Sequence, residues 1–244
     1  MKNYLISLCA RGGSKGIPGK NIKLINGKPL IAYSIAFANA LSKKINGHVI
    51  IELSTDNIAI REIAASYGLN STYLRPDYLA TDTAGKIGVL KDLLTTSELR
   101  YECQFDYVID LDITAPLRTL EDVTTALNLI ENNTEAINLF SVSKAHRNPY
   151  FNMVEEKKDG FYDLSKPNSG FLTRQSAPKV YDMNASFYVY KKQFFIDNYT
   201  TAIAPKSLIK LIEHQCFDLD EPIDFLFMEW LISNNQLDFD LIQP

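Results

Sequence analysis

The chain predicts an α/β fold, with a parallel sheet covered by helices on both faces. Three observations carry this. Apolar runs at Tyr4–Leu8, Val49–Leu53 and Tyr107–Leu111 lack the apolar–polar alternation of a half-wetted sheet. Segments of helical period separate these runs, the alternation expected of strand–helix–strand units. Hydrophobic residues make up 46% of the 244 residues, enough for one large core without disulfide or metal staples.

Taken in order, Tyr4–Leu8 ends in a glycine-rich turn and reads as a buried first strand. Lys28–Lys43 repeats Leu30, Ile31, Ile35, Ala38 and Leu41 at helical spacing. Val49–Leu53 is the second strand. Asp56–Tyr67 follows as a helix, with Thr55 or Asp56 as N-cap and Gly68 as its stop. Tyr107–Leu111 is the third strand. Thr119 then opens a helix, with Asp122 three residues on completing a variant capping box. From 145 to 182 the pattern breaks into Asn, Pro, Lys and aromatic residues with short alternating pieces such as Phe161-Tyr162-Asp163. So long a stretch without structure is uncommon inside a domain, and it reads as a β-rich arm that packs on another subunit. Ser186–Tyr190 and Ile209–Ile212 return as strands, and Pro222–Ile232 is a closing helix. The expectation is one domain, 1–244, carrying 145–182 as its arm.

Charge and cysteines narrow the class. Lys and Arg number 25 against 29 Asp and Glu, a formal charge of −4, which excludes a general nucleic-acid surface but allows a local basic pocket for a small polyanion. Cys9, Cys103 and Cys216 are odd in number and show no metal-ligand spacing, as expected of reduced thiols in a cytoplasmic protein. Neither a signal-peptide pattern nor a bilayer-length apolar run is present in the sequence.

In parallel sheets ligands collect where the strands' carboxyl ends meet the loops. The first such loop, Ala10-Arg11-Gly12-Gly13-Ser14-Lys15-Gly16-Ile17-Pro18-Gly19-Lys20-Asn21, is the most informative segment. Its glycines let backbone N–H groups form an anion nest. Arg11, Lys15 and Lys20 supply cations, and Pro18 opposes a helical arrangement, so the cations converge from different sides. A nest with converging cations suits a triphosphate whose leaving pyrophosphate needs neutralising. The Walker A pattern fails at Ser14 and Asn21, and the dinucleotide fingerprint fails on glycine spacing. Gly12-Gly13-Ser14-Lys15-Gly16 does match the G-x-S-x-G elbow of α/β-hydrolases, with His146 or His214 as candidate base. That elbow, however, follows several strands, and here only one precedes it.

With this loop, the ordered blocks Ser54-Thr55-Asp56, Leu74-Arg75-Pro76, Ala80-Thr81-Asp82-Thr83, Thr114-Ala115-Pro116-Leu117-Arg118 and Asp218-Leu219-Asp220 resemble the CMP-sialic acid synthetases (acylneuraminate cytidylyltransferases). The resemblance runs along nearly the whole chain and includes the CMP-legionaminic type of nonulosonate synthetase. It implies a Rossmann-like nucleotidyltransferase fold (GT-A-like, three-layered, with a mainly parallel sheet), a Mg²⁺ requirement, and a homodimer whose arm reaches the partner's active site. By the family pattern Ala10, Arg11, Gly13, Lys20, Asn21, Arg75, Asp82, Thr83 and Asn184 face the nucleotide, and Lys15 acts on its phosphates. Asp112, Thr114, Arg174 and Gln175 lie toward the sugar. Asp218 and Asp220 bind the metal and, with Lys15, carry catalysis. Two carboxylates at i and i+2 of an extended segment share one face, which suits a hard divalent cation.

One position departs from the family: Asp112 stands where the sialic acid enzymes usually carry Gln. A carboxylate there repels a sugar carboxylate but accepts hydrogen bonds from hydroxyl or amide N–H groups, so a nonulosonate such as legionaminate enters beside N-acetylneuraminate as a candidate. Asp110 and Asp112 joining the metal site is a further option. The implied reaction is attack by the sugar's anomeric hydroxyl on the α-phosphorus of CTP, with Asp218, Asp220 or a metal-bound water as candidate base. Transfer to Kdo or a sugar phosphate, with GTP in place of CTP, and a hydrolase using Ser14 are the alternatives.

Overall fold

The computed structural model describes every residue except 14, 15, 168, 169, 172 and 174. Six strands form one sheet. In chain order they are β1 (Asn3–Cys9), β4 (His48–Ser54), β5 (Tyr107–Leu111), β6 (Asn138–Lys144), β9 (Tyr181–Lys191) and β10 (Ser207–Leu211). Their spatial order is β10-β6-β9-β5-β1-β4. β1 pairs parallel to β4 and β5, and β10 parallel to β6, while β9 runs antiparallel between β5 and β6. Two small hairpins stand apart, β2 (Leu24–Ile25) with β3 (Lys28–Pro29) and β7 (Val154–Glu156) with β8 (Tyr162–Leu164).

Period-two side chains sort the sheet's faces. Tyr4, Ile6 and Leu8 of β1 and Tyr107, Ile109 and Leu111 of β5 join one core with α1 (Leu30–Ser42), α2 (Ile58–Ser66), α4 (Leu120–Asn132) and α6 (Pro222–Ser233). Leu5, Val108 and Tyr190 face the other way, onto α3 (Lys86–Tyr101) and α5 (Lys192–Ile196). The result is three layers, as expected.

Local chemistry explains most boundaries. Thr119 caps α4 with its hydroxyl accepting from Asp122 N, and Thr119 N donates to Asp122 Oδ2 at 2.9 Å. Gly68 takes φ 86° just past α2, where a left-handed residue is needed. The cap of α2 differs from expectation. Asn57, not Thr55 or Asp56, accepts from Ile60 N at 3.1 Å, because Asp56 is drawn away to the glycine loop. Helix α3 has no counterpart in the sequence reading, although Ile87, Leu90, Leu93 and Leu94 bury a helical stripe. Within 145–182 the structure places the β7–β8 hairpin, whose Val154, Phe161 and Tyr162 are exposed.

Candidate active site

β1, β4, β5 and β6 point their carboxyl ends to one edge of the sheet, where antiparallel β9 begins, so the loops after them share that edge. The glycine loop leaves β1 at Ala10, whose buried N–H donates to Ser54 O at 2.9 Å. Gly12 N donates to Asp56 Oδ1 at 2.9 Å, and a Cβ at Gly12 would stand 2.6 Å from the Asn57 side chain. A Cβ at Gly16 would meet the Asp220 carbonyl at 2.9 Å, so this glycine is required by close approach of two backbones. Around Gly13 the space is open. Asn21 Nδ2 holds the Arg11 carbonyl at 3.0 Å. Lys20 Nζ donates to the Leu219 carbonyl and lies 3.3 Å from Asp220 Oδ1. The loop and the late aspartates therefore face each other across one cleft.

A cavity of about 270 Å³ opens beside the loop, lined in part by Arg11, Arg75, Asp82, Lys86 and Asp112. Arg11 reaches Asp82 Oδ1 at 2.7 Å. Arg75 is buried and pairs with no surface carboxylate in the described structure; its Nε and terminal nitrogen donate to Ser54 Oγ at 3.0 Å and Ser54 O at 2.7 Å. Thr83 is exposed on the loop before α3, beside Thr81.

Alternate positions of β5 share the α3 face, which puts Asp110 and Asp112 together. Asp110 is wholly buried rather than a solvated strand end; its Oδ1 accepts from Ser7 Oγ at 2.9 Å. Lys86 Nζ, from the first residue of α3, lies 2.7 Å from Asp110 Oδ2 and 2.7 Å from Asp112 Oδ2. Asp112 Oδ1 accepts from Thr114 N and Oγ1. Burial opposes the Asp112 charge, yet Lys86 and Thr114 pull its pKa down to about 2. Burial also works against the Lys86 ammonium, but the two carboxylates hold its pKa well above the usual value. Lys86 is the residue the sequence reading missed. It follows the matched Ala80–Thr83 block closely, and a cation opening an amphipathic run was the available signal.

Thr114 O accepts from Leu219 N at 2.9 Å, which brings Asp218 and Asp220 alongside the Asp112 loop. Burial first, then the charge and hydrogen bond of Asp220, push the Asp218 pKa up. Two carboxylates that repel each other while facing a glycine-rich loop are a donor set that suits a divalent cation. Asp220 is not the cap of α6: Glu221 holds that position, and Asp224 Oδ2 accepts from both Asp220 N and Glu221 N. Among the described residues no group of three or more His, Cys, Asp or Glu side chains could hold a metal. Mg²⁺ fits two carboxylates, because it habitually completes its octahedron with phosphate oxygens and water.

Asn184 sits within β9 rather than before it. Its Oδ1 accepts from Ser141 Oγ at 2.6 Å and its Nδ2 donates to Ser143 Oγ at 3.0 Å, so its amide ties the sheet together. Gln175 lines a separate cavity of about 450 Å³ with Lys144, Arg147 and Lys179 at the foot of the arm, sharing no lining residue with the Arg11 cavity. Lys15, Ser14 and Arg174 fall outside the described residues. His214 is bound to Asp122 at 2.7 Å at the start of α4, so it is tied away from the glycine loop.

Residues 6–229 match the family described as Cytidylyltransferase. The chain belongs to the cytidylyltransferase family. As a cytidylyltransferase it is a nucleotidyltransferase enzyme, and the α/β-hydrolase alternative drops out. Its relatives include the CMP-N,N'-diacetyllegionaminic acid synthase of Campylobacter jejuni, 43% identical over 237 residues, covering 97% of this chain and 98% of the relative. The post-translational flagellin modification protein B of Campylobacter coli matches with the same identity and coverage. Among solved structures, CMP:2-keto-3-deoxy-manno-octonic acid synthetase complexed with CTP shares the fold, with a TM-score of 0.66 at 14% identity over 96% of this chain and 100% of that one.

Proposed function

We propose that this cytidylyltransferase activates a nonulosonic acid of the diacetyllegionaminate class, joining CMP from CTP to the anomeric oxygen and releasing pyrophosphate. One observation carries the reading. The glycine loop and the late aspartates meet at the Gly16–Asp220 contact and the Lys20–Leu219 bond, which supports a triphosphate on the loop being held near the carboxylates. The similarity to named legionaminic acid synthases supports the sugar class.

In this reading Arg11, Arg75, Asn21, Asp82 and Thr83 surround the nucleoside end, and Lys15, Lys20 and the glycine amides neutralise the departing pyrophosphate. Positioning and charge neutralisation do most of the work in phosphoryl and nucleotidyl transfer. Asp218 and Asp220 hold Mg²⁺. Once bound, the ion supplies charge neutralisation at the phosphates and lowers the pKa of the attacking hydroxyl. Thr114 and Asp112 form the sugar-side wall. The hairpin exposes Val154, Phe161 and Tyr162, apolar surface suited to burial in a homodimer.

The test is pyrophosphate release from CTP with Mg²⁺ across N,N'-diacetyllegionaminate, N-acetylneuraminate and Kdo. Preferential turnover of the first is expected. Turnover of Kdo alone, or of GTP in place of CTP, overturns the assignment.

A further inference from the structure

The segment 214–219, which follows β10 and carries Asp218, forms no helix or strand. Two bonds tie it to residues 114–122, the stretch that leaves β5 and opens α4. At one end Leu219 N donates to Thr114 O at 2.9 Å. At the other, His214 Nε2 lies 2.7 Å from Asp122 Oδ2. Asp218 is thus held between two anchors, and one of them is an imidazole.

Both nitrogens of that ring face acceptors. Nδ1 lies 2.9 Å from the Gln215 carbonyl, which has no proton to give. Asp122 Oδ2 already accepts from Thr119 N at 2.9 Å and Thr119 Oγ1 at 2.7 Å, which leaves no place for a proton on that oxygen. Each ring nitrogen must therefore donate, and only imidazolium carries both N–H groups. The surroundings agree. Burial disfavours the cation, but the Asp122 bond, the Gln215 carbonyl and the Asp238 charge hold the His214 pKa above its ordinary 6.5. Burial also opposes the Asp122 charge, yet His214 and Thr119 draw its pKa down. Asp238 belongs to the C-terminal tail, where its Oδ1 accepts from Gln215 N at 3.1 Å. The next residue, Phe239, sets its ring centroid 4.2 Å from that of His214. Cys216 does not titrate in the same range, because burial pushes its thiol up to about 12.

We propose that His214 is the protonated pin of a clamp that positions Asp218, and that losing its proton releases the 214 end of the segment. A neutral imidazole has one N–H for two acceptors, so either the Gln215 carbonyl or the Asp122 carboxylate then faces a nitrogen lone pair. His214 is a positioning residue: it acts on Asp218 through the chain. The sign follows from its raised pKa. The stabilisation is complete below 6.5 and fades as pH rises through the folded value. The consequence for Mg²⁺ rests on the function proposed above; the protonation of the ring does not.

Nitrogen NMR of the wild-type imidazole, with chelator present, reads the protonation directly. Both His214 ring nitrogens are expected to carry protons at a pH of about 6, with a titration midpoint above 6.5. A neutral ring at that pH, or a midpoint at or below 6.5, overturns the proposal. Thermal unfolding then compares wild type with His214→Gln, which offers an N–H but no titrating charge. With chelator, wild type should outlast the variant by about 2–4 °C at a pH of about 6 and match it at about 9. With CTP present, the Mg²⁺ concentration that half-saturates thermal stabilisation should be about three- to tenfold lower for wild type at the acid end and equal at the alkaline end. Comparing the two proteins at each pH cancels the titration of CTP itself. A wild-type margin that stays constant across pH overturns the clamp, and a stability margin without a Mg²⁺ margin overturns its action on Asp218. Wild type that neither gains stability from Mg²⁺ with CTP nor releases pyrophosphate with any nonulosonic acid overturns the proposed function, while the NMR midpoint and the chelator series still decide the pin.

Discussion

Two aspartate pairs of identical spacing border the cleft, and their electrostatics are opposite. Asp110 and Asp112 sit at the end of β5 with Lys86 against both, and the Asp112 pKa is drawn down to about 2. Among the described residues, Asp218 and Asp220 have no such cation between them; Lys20 reaches Asp220, at 3.3 Å, with the Asp220 side chain 72% exposed, and the Asp218 pKa is pushed up. Where a carboxylate has to stay fixed and ionised, the chain supplies the counter-ion itself. In the proposed function a cation arrives with the substrate, and the two late carboxylates are left in mutual repulsion, a state that Mg²⁺ would relieve better than a proton does.

The largest expected effect follows from removing the repelling pair. Asp218→Asn should lower turnover about 10²–10³-fold, the scale of losing one transition-state electrostatic partner, and move the Mg²⁺ titration to higher concentration. Asp112→Asn should leave the Mg²⁺ titration in place, because Asp112 already has its cation. If both variants shift the titration equally, the distinction between the pairs is wrong and Asp112 is a metal ligand.

Stripping the internal counter-ion comes next. Lys86→Met leaves Asp110 buried without its cation. The Lys86 side chain is 36% exposed, so the loss is set at about 2–3 kcal/mol, below that of a fully buried pair, which for a chain of this size lowers Tm by about 4–10 °C. Adding Asp110→Asn to Lys86→Met should recover part of that loss, since the unpaired charge is then gone. Failure of the double variant to recover any stability would place the role of Lys86 in packing rather than charge.

These two pairs also mark what the sequence made legible. The three-layer fold and strands β1, β4 and β5 follow from apolar runs and helical spacing, and the Thr119 cap needed only Thr and Asp three residues apart. The Asp218–Asp220 pair and the glycine loop were readable as candidates because their pattern is local: spacing alone puts the carboxylates on one face and glycines in the turn. The pairing of Lys86 was not readable, because it depends on β5 and α3 packing across 23 residues to Asp110 and 25 to Asp112; the cation opening an amphipathic run marked only its place on a helix. The partners of Asn184 were hidden for the same reason: its amide meets Ser141 and Ser143 across the β6–β9 pairing, which no local motif encodes. Gly16 lies between these cases: its place in a nest was legible, its contact with Asp220 was not. Gly16→Ala should therefore weaken Mg²⁺ binding as well as cost about 1–2 kcal/mol of stability, since the added methyl displaces the Asp220 backbone. Gly13→Ala, facing open space, should do neither by steric contact within the protein.

The smallest effect is a pH dependence, and its sign separates the pairs. Asp218 has a folded-state pKa above its ordinary value, so its contribution to metal-free stability is present at acid pH and fades as pH rises through that folded value. Asp112 behaves oppositely: its folded pKa is about 2 against 3.8, so its contribution is present above 3.8 and fades only as pH falls toward 2. Without Mg²⁺, Asp218→Asn should therefore gain on wild type as pH rises from 4 to 7, by about 1–2 °C in Tm, the scale of one partly screened like-charge contact. Saturating Mg²⁺ should reverse the order, because only the wild-type pair gains binding energy from the ion. Thermal unfolding of both proteins with chelator and with Mg²⁺, at three pH values, reads the sign directly. A wild type that outlasts Asp218→Asn at neutral pH with chelator present would mean that Asp218 already has a cationic partner inside the fold, and the contrast between the two pairs would disappear.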